Sequence, residues 1–193
     1  MTPDEILMAH VREVHGEFIA DAVKGTPFPA ALIAALDANE TGGDATKTRF
    51  EPAVFGKLAK VMLSLEAEHP AQYGSIGAQD LEKWVVTPDR KFNESLLALV
   101  NLATSWGPTQ IMGYEALAGE FAISQLTDPK FHFGHTVNLL DEFRKRFNLT
   151  VGIGAYWEPF FRCWNAGHPN GVTTDPLYVT NGLARGKIYE MLP

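Results

Sequence analysis

The sequence predicts an all-α fold, a single helical domain over residues 1–193, and three observations carry that reading. Apolar residues recur at three- and four-residue intervals along most of the chain, no alternating strand pattern persists, and Gly or Pro punctuates the periodic stretches. At 193 residues, 46% hydrophobic and 20% charged, the chain is long enough to bury a sizeable core.

The elements follow in order. Thr2 is placed to cap a helix, Pro3 suits its first position and Glu5 completes a capping-box spacing. Ile6, Val11, Val14, Phe18 and Val23 then continue an amphipathic helix over 3–24, which Gly25 ends. Residues 1–28 thus read as a helix and turn packed on the rest, with Pro27 and Pro29 leading into a second helix, Ala30 to Asn39. Gly42 and Gly43 stop that helix, because glycine takes the left-handed conformation at low cost.

Pro52 opens a third helix over 52–68, with Val54, Phe55, Leu58, Val61, Met62 and Leu65 on one broad face. From His69 to Phe92, Pro70, Gly74, Gly77 and Pro88 mark a long connection with a short helix at Ala78 to Trp84; a segment of that length often serves a functional edge. Helical patterns resume at Glu94 to Thr104, Glu115 to Leu126, Phe133 to Phe147, Thr150 to Trp164 and Leu177 to Met191.

Charge and composition exclude several classes. The formal charge is -7, and an acidic chain is a poor general binder of nucleic acid, whose phosphates call for clustered Lys and Arg. The run Arg144-Lys145-Arg146 is short and reads as a solvated helix face. No apolar run reaches the roughly 20 residues that span a bilayer, so no membrane insertion is expected. Met1-Thr2-Pro3-Asp4-Glu5 is acidic where a secretory signal would be basic, which implies cytoplasmic synthesis without a visible signal peptide.

Cys163 is the single cysteine, and its neighbours Phe160, Phe161 and Trp164 favour an inert buried thiol over a nucleophile. His132-x-x-His135 could set two imidazoles near each other, yet no carboxylate or cysteine completes a ligand set. Neither a metal nor any other cofactor is expected.

The chemistry concentrates at Glu40. It stands where an apolar helix stops at a Gly-Gly turn, so it reads either as a solvated acid or as a carboxyl held half in a core and half in a cleft. A carboxyl in the second setting loses solvation and stays protonated near neutral pH, as a general acid must. That chemistry serves glycosidic bond cleavage.

Three blocks in order carry a family resemblance: Asn39-Glu40-Thr41-Gly42-Gly43, then Ser105-Trp106-Gly107-Pro108-Thr109-Gln110-Ile111-Met112-Gly113, then Trp164-Asn165-Ala166-Gly167. The chain resembles the lysozyme-like peptidoglycan-cleaving enzymes, which include goose-type lysozymes, soluble lytic transglycosylases and a phage-associated N-acetylmuramidase group. Arg49-Phe50-Glu51-Pro52-Ala53-Val54-Phe55 is similar to the segment that follows the first block in the N-acetylmuramidases. Two departures stand out: Pro108-Thr109 occupies the place of the usual Leu-Met, and Trp164 replaces a tyrosine whose hydroxyl approaches the catalytic acid.

The resemblance implies a lysozyme-like helical domain with a substrate cleft, acting as a monomer at the bacterial cell wall on peptidoglycan glycan strands. Glu40 would be the acid that breaks the β-1,4 bond between N-acetylmuramic acid and N-acetylglucosamine. Glu51 is preferred over Asp37 and Asp44 as a second carboxylate that activates water, its other role being a helix-start acid near the dipole. Gln110, by itself a helix-start glutamine that could face solvent, would with the resemblance orient a sugar, since an amide both donates and accepts. Trp106 and Tyr114 read either as core aromatics or as surfaces that stack on sugar faces, and Asn165 either as a structural turn residue or, by the resemblance, as part of the floor beside the acid.

Three alternatives stay open on the same scaffold. They are a lytic transglycosylase forming an anhydro-muramic product, a chitinase-like glycosidase, and an inactive wall-binding module.

Overall fold

The computed structural model describes residues 1–68 and 92–193. The connection expected after His69, with its short helix at Ala78 to Trp84, lies outside the described residues. Helix α1 (Pro3–Val23) begins as anticipated: the Thr2 hydroxyl accepts from Glu5 N–H, and the Glu5 carboxylate accepts from Thr2 N–H at 2.6 Å. Gly25, at φ 76°, takes the chain away after Lys24.

Helix α2 (Ala30–Glu40) is buried at every residue from Ala31 to Ala38, and that stretch is apolar on all sides except at Asp37. An element of that kind must run through a core rather than along a surface. It packs against α1, against α6 (Pro129–Phe147) and against α8 (Tyr178–Met191), with α7 (Glu158–Ala166) beside α6 and α8. Alanines let the partners approach closely. On α8 the same service is done by glycines: a Cβ at Gly182 would fall 2.6 Å from the Phe161 ring, and one at Gly186 2.3 Å from the Trp157 ring.

These helices form one compact unit, Met1–Ala45 together with Pro129–Pro193. Its core joins Leu32, Ile33 and Leu36 to Phe133, Leu140, Trp157, Phe160 and Phe161. The second unit, Thr46–Asp128, holds α3 (Pro52–Glu68), α4 (Phe92–Leu102) and α5 (Glu115–Gly119), with a cluster of Ala98, Leu102, Ala116 and Ile123.

The chain is predominantly helical, as the sequence predicts, but the second unit adds a small antiparallel sheet. Strands β1 (Thr48–Phe50), β2 (Thr104–Trp106) and β3 (Ile111–Met112) pair in that order, with Arg49 opposite Ser105 and Trp106 opposite Ile111. Strands of two and three residues are too short to display alternation, which explains why the sequence pattern missed them.

Other boundaries also differ. The helix expected over Glu115 to Leu126 stops at Gly119, where Glu120 turns left-handed at φ 53°, and a 3₁₀ turn follows at Ile123–Thr127. The helix expected from Thr150 begins as a 3₁₀ turn at Gly154–Trp157 and becomes α-helical at Glu158, because Gly152 and Gly154 interrupt the pattern. Helix α6 starts earlier than Phe133, with Pro129 at its first position. On its last turns Asp141 binds Arg144 Nε at 2.7 Å and Lys145 Nζ at 2.7 Å, and Arg146 lies over the Phe147 ring. The basic run is thus part of a helix face.

Cys163 is 1% exposed, and burial pushes its thiol up to about 11, with Arg146 drawing it slightly back. The thiolate is the reactive form. The folded protein is therefore expected to resist iodoacetamide at pH 8 and to react only in denaturant. Prompt alkylation of the native protein, read by mass spectrometry, would contradict this burial.

Candidate functional site

Glu40 is the last residue of α2, half-buried where the apolar helix meets its stop. Gly42 and Gly43 take φ 72° and 92°, the left-handed values a turn of this kind requires. The Thr41 and Gly42 N–H groups both donate to the Asp37 carbonyl, at 2.9 and 3.0 Å. The helix end is thereby closed.

Across from it stands the first residue of α8. The Tyr178 hydroxyl donates to Glu40 Oε1 in a short hydrogen bond, while the Tyr178 carbonyl accepts from Asn39 Nδ2 at 2.8 Å. Arg185, two turns along α8, donates to Asn39 Oδ1 at 2.8 Å and to the Ala38 carbonyl at 3.4 Å. A guanidinium at the C-terminus of α2 suits the negative end of its dipole. Tyr178 is 6% exposed and packs edge-on against Phe161, so its hydroxyl is held rather than free to swing.

The segment before Tyr178 is tied at several points. Thr174 N–H donates to Asn165 Oδ1 at 3.0 Å, Arg162 Nη1 to the Gly171 carbonyl at 2.9 Å, and Leu177 N–H to Asp175 Oδ1 at 2.8 Å. Asn165 thus holds the chain that delivers Tyr178 to Glu40. Trp164, in the third of the quoted blocks, packs its indole against Phe143 and into the core. The phenol that reaches Glu40 is that of Tyr178.

Asp37 is fully buried, one helical turn before Glu40. Oδ1 accepts from the Thr41 hydroxyl at 3.0 Å and from Gly43 N–H at 3.2 Å, and Oδ2 lies 2.7 Å from Nδ1 of His15 on α1. His15 is itself 3% exposed, with its ring against the edge of Phe133. On α8, burial pushes the Tyr189 hydroxyl up; Arg12 draws it down and the Asp37 charge adds to the rise. Bound inside the fold on both oxygens, Asp37 is not placed as a base toward solvent.

The other sequence-predicted residues gather around the sheet of the second unit. Glu51 precedes α3: its N–H donates to the Ala103 carbonyl at 2.8 Å, its carbonyl accepts from Val54 and Phe55, and its Oε1 accepts from Arg49 Nε at 2.6 Å. Trp106 donates from its indole to the Asn101 carbonyl at 3.0 Å and packs on the local apolar cluster. Tyr114 is 37% exposed, and burial of its remainder, with Glu115 beside it, pushes its hydroxyl up. That phenol is a donor at neutral pH.

Gln110 closes the turn between β2 and β3 at φ 58°, 8% exposed. Its Nε2 donates to the carbonyls of Lys47, at 3.0 Å, and Gly107, at 2.9 Å, and its Oε1 accepts from Ser105 Oγ at 2.9 Å. Both amide hydrogens are spent within the fold. The sugar-orienting role expected for it therefore competes with a structural one.

Among the described residues no group of three or more His, Cys, Asp or Glu is arranged to hold a metal ion, and His132 is buried on α6. No described helix is long and apolar enough to cross a membrane. Sequence reasoning missed Tyr178 and His15. For Asp37 a signal was present, since a carboxylate inside an apolar helix requires partners; for Tyr178, 138 residues from Glu40, there was none.

No family model, curated protein or solved structure matches this chain.

Proposed function

We propose that this chain is a lysozyme-like enzyme that cleaves the β-1,4 bond between N-acetylmuramic acid and N-acetylglucosamine in peptidoglycan, at the bacterial wall, with Glu40 as the general acid. The observation that carries the reading is the pairing of Glu40, at the mouth of a buried helix, with the hydroxyl of Tyr178. A catalytic carboxyl must be fixed in direction and partly withdrawn from water, and this setting does both. Glu40 gives its proton to the leaving oxygen as the anomeric C–O bond breaks. Glu40 is left as a carboxylate, and which group then takes the attacking nucleophile's proton depends on what attacks the oxocarbenium-like centre.

Two routes complete the reaction. In one, water attacks and Glu51 acts as base. In the other, the 6-hydroxyl of the muramic acid attacks, its proton returns to Glu40, and an anhydro-sugar forms. The internal bonding of Asp37, which withdraws that carboxylate from solvent, favours the second route, which needs one carboxyl. Of the two aromatics expected to meet sugar faces, Tyr114 is the more exposed, whereas Trp106 has its indole N–H committed.

Mass spectrometry of purified peptidoglycan after incubation tests the reading. The expected products are disaccharide-peptides ending in anhydro-muramic acid, lighter by one water than hydrolysed ones, and Glu51→Gln is expected to leave their yield unchanged. Fully hydrated ends with loss of activity in Glu51→Gln would select the water route. Release of neither product, or turnover of chitin alone, would overturn the proposal.

A further inference from the structure

We infer that Asp37 and His15 form a positioning pair for Glu40, an inference that rests on Glu40 being the catalytic acid. Helix α2 contains one charged side chain in its buried stretch, and that side chain is Asp37. Burying a carboxylate costs free energy, and a buried ion pair is often no more stabilising than apolar side chains of the same shape. Its presence calls for a reason other than packing.

The geometry supplies one. After Glu40 the chain reverses through Thr41, Gly42 and Gly43, and each of these three residues is bonded to Asp37: Thr41 and Gly42 through the backbone carbonyl, Thr41 and Gly43 through Oδ1. The other oxygen is held by His15 from α1, whose ring is fixed in turn by Phe133. An ionised carboxylate has acceptors only, so Nδ1 of His15 carries the proton it donates. One buried side chain thus sets the backbone on the far side of Glu40, while Tyr178 sets the carboxyl itself. The acid is gripped from two helices, and His15 anchors the grip to a third.

An apolar replacement of the pair tests this. The double variant His15→Phe/Asp37→Leu fills the same space and is expected to fold, but it removes both Oδ1 bonds. Selective ¹³C labelling of glutamate carboxyls isolates the Glu40 signal, assigned by its loss in Glu40→Gln. In the double variant that signal is expected to move, and kcat on peptidoglycan to fall about 10-fold to 100-fold, the scale of a small misplacement of a reacting group. KM should stay within about twofold.

Asp37→Asn keeps an acceptor toward Thr41 and Gly43, with His15 taking its other tautomer, and is expected to restore most of the rate. A folded double variant with an unmoved Glu40 signal and wild-type kcat would overturn the inference, as would Asp37→Asn being equally impaired. Should the double variant not fold, Thr41→Val decides: it removes one bond to Oδ1, and an unmoved Glu40 signal there overturns the pair. If the unaltered protein cleaves no glycan, the functional reading fails, while the carboxyl signal still reports on the positioning.

Discussion

Glu40→Gln is expected to abolish bond cleavage while leaving the fold intact. The amide has almost the same size, and its oxygen still accepts from the Tyr178 hydroxyl, so the contact between α2 and α8 is kept. What disappears is the proton. General-acid catalysis contributes about 10²-fold to 10⁴-fold, or roughly 3–5 kcal/mol of barrier at about 1.36 kcal/mol per tenfold. The check is product release from peptidoglycan by the variant, beside its melting temperature. A variant with half the original turnover and an unchanged melting temperature would remove Glu40 from the mechanism.

Local signals were legible in the sequence because the interactions behind them are local. The Thr2-Glu5 capping box closes within one turn, and the Gly42-Gly43 stop follows from the backbone freedom of those two residues. The position of Glu40 at a helix end could be read for the same reason. Arg144 and Lys145 likewise meet Asp141 at helical spacing, so a solvated helix face was the natural reading of that run.

The parts that stayed hidden depend on contacts across the chain. Tyr178 reaches Glu40 over 138 residues, and nothing in the Asp175-Pro176-Leu177 turn announces which acid its hydroxyl will meet. The sheet depends on β1 meeting β2 across the long segment that separates them in sequence, with strands too short to show a period. A family resemblance led toward Gln110 by residue type. Residue type does not tell whether an amide faces a ligand or a carbonyl of its own chain.

Gln110→Ala makes that last distinction measurable. The substitution removes three hydrogen bonds, from Nε2 to Lys47 O and Gly107 O and from Ser105 Oγ to Oε1, in a side chain that is almost wholly buried. At about 1 kcal/mol net for each bond, and more where a partner is left buried and unpaired, the expected loss is about 3 kcal/mol. For a chain of this size that is roughly 6–12 °C in Tm, at about 2–4 °C per kcal/mol. Gln110→Gly loses the same bonds but sheds the cost of a side chain at φ 58°, so it is expected to fall less than the alanine variant despite being the smaller residue. The order of these two melting temperatures separates the turn's backbone demand from its side-chain bonds. If instead both variants melt with the unaltered protein while cleavage drops, the amide's bonds to Lys47 and Gly107 contribute nothing to stability, and Gln110 returns to the sugar-orienting role that its motif implies.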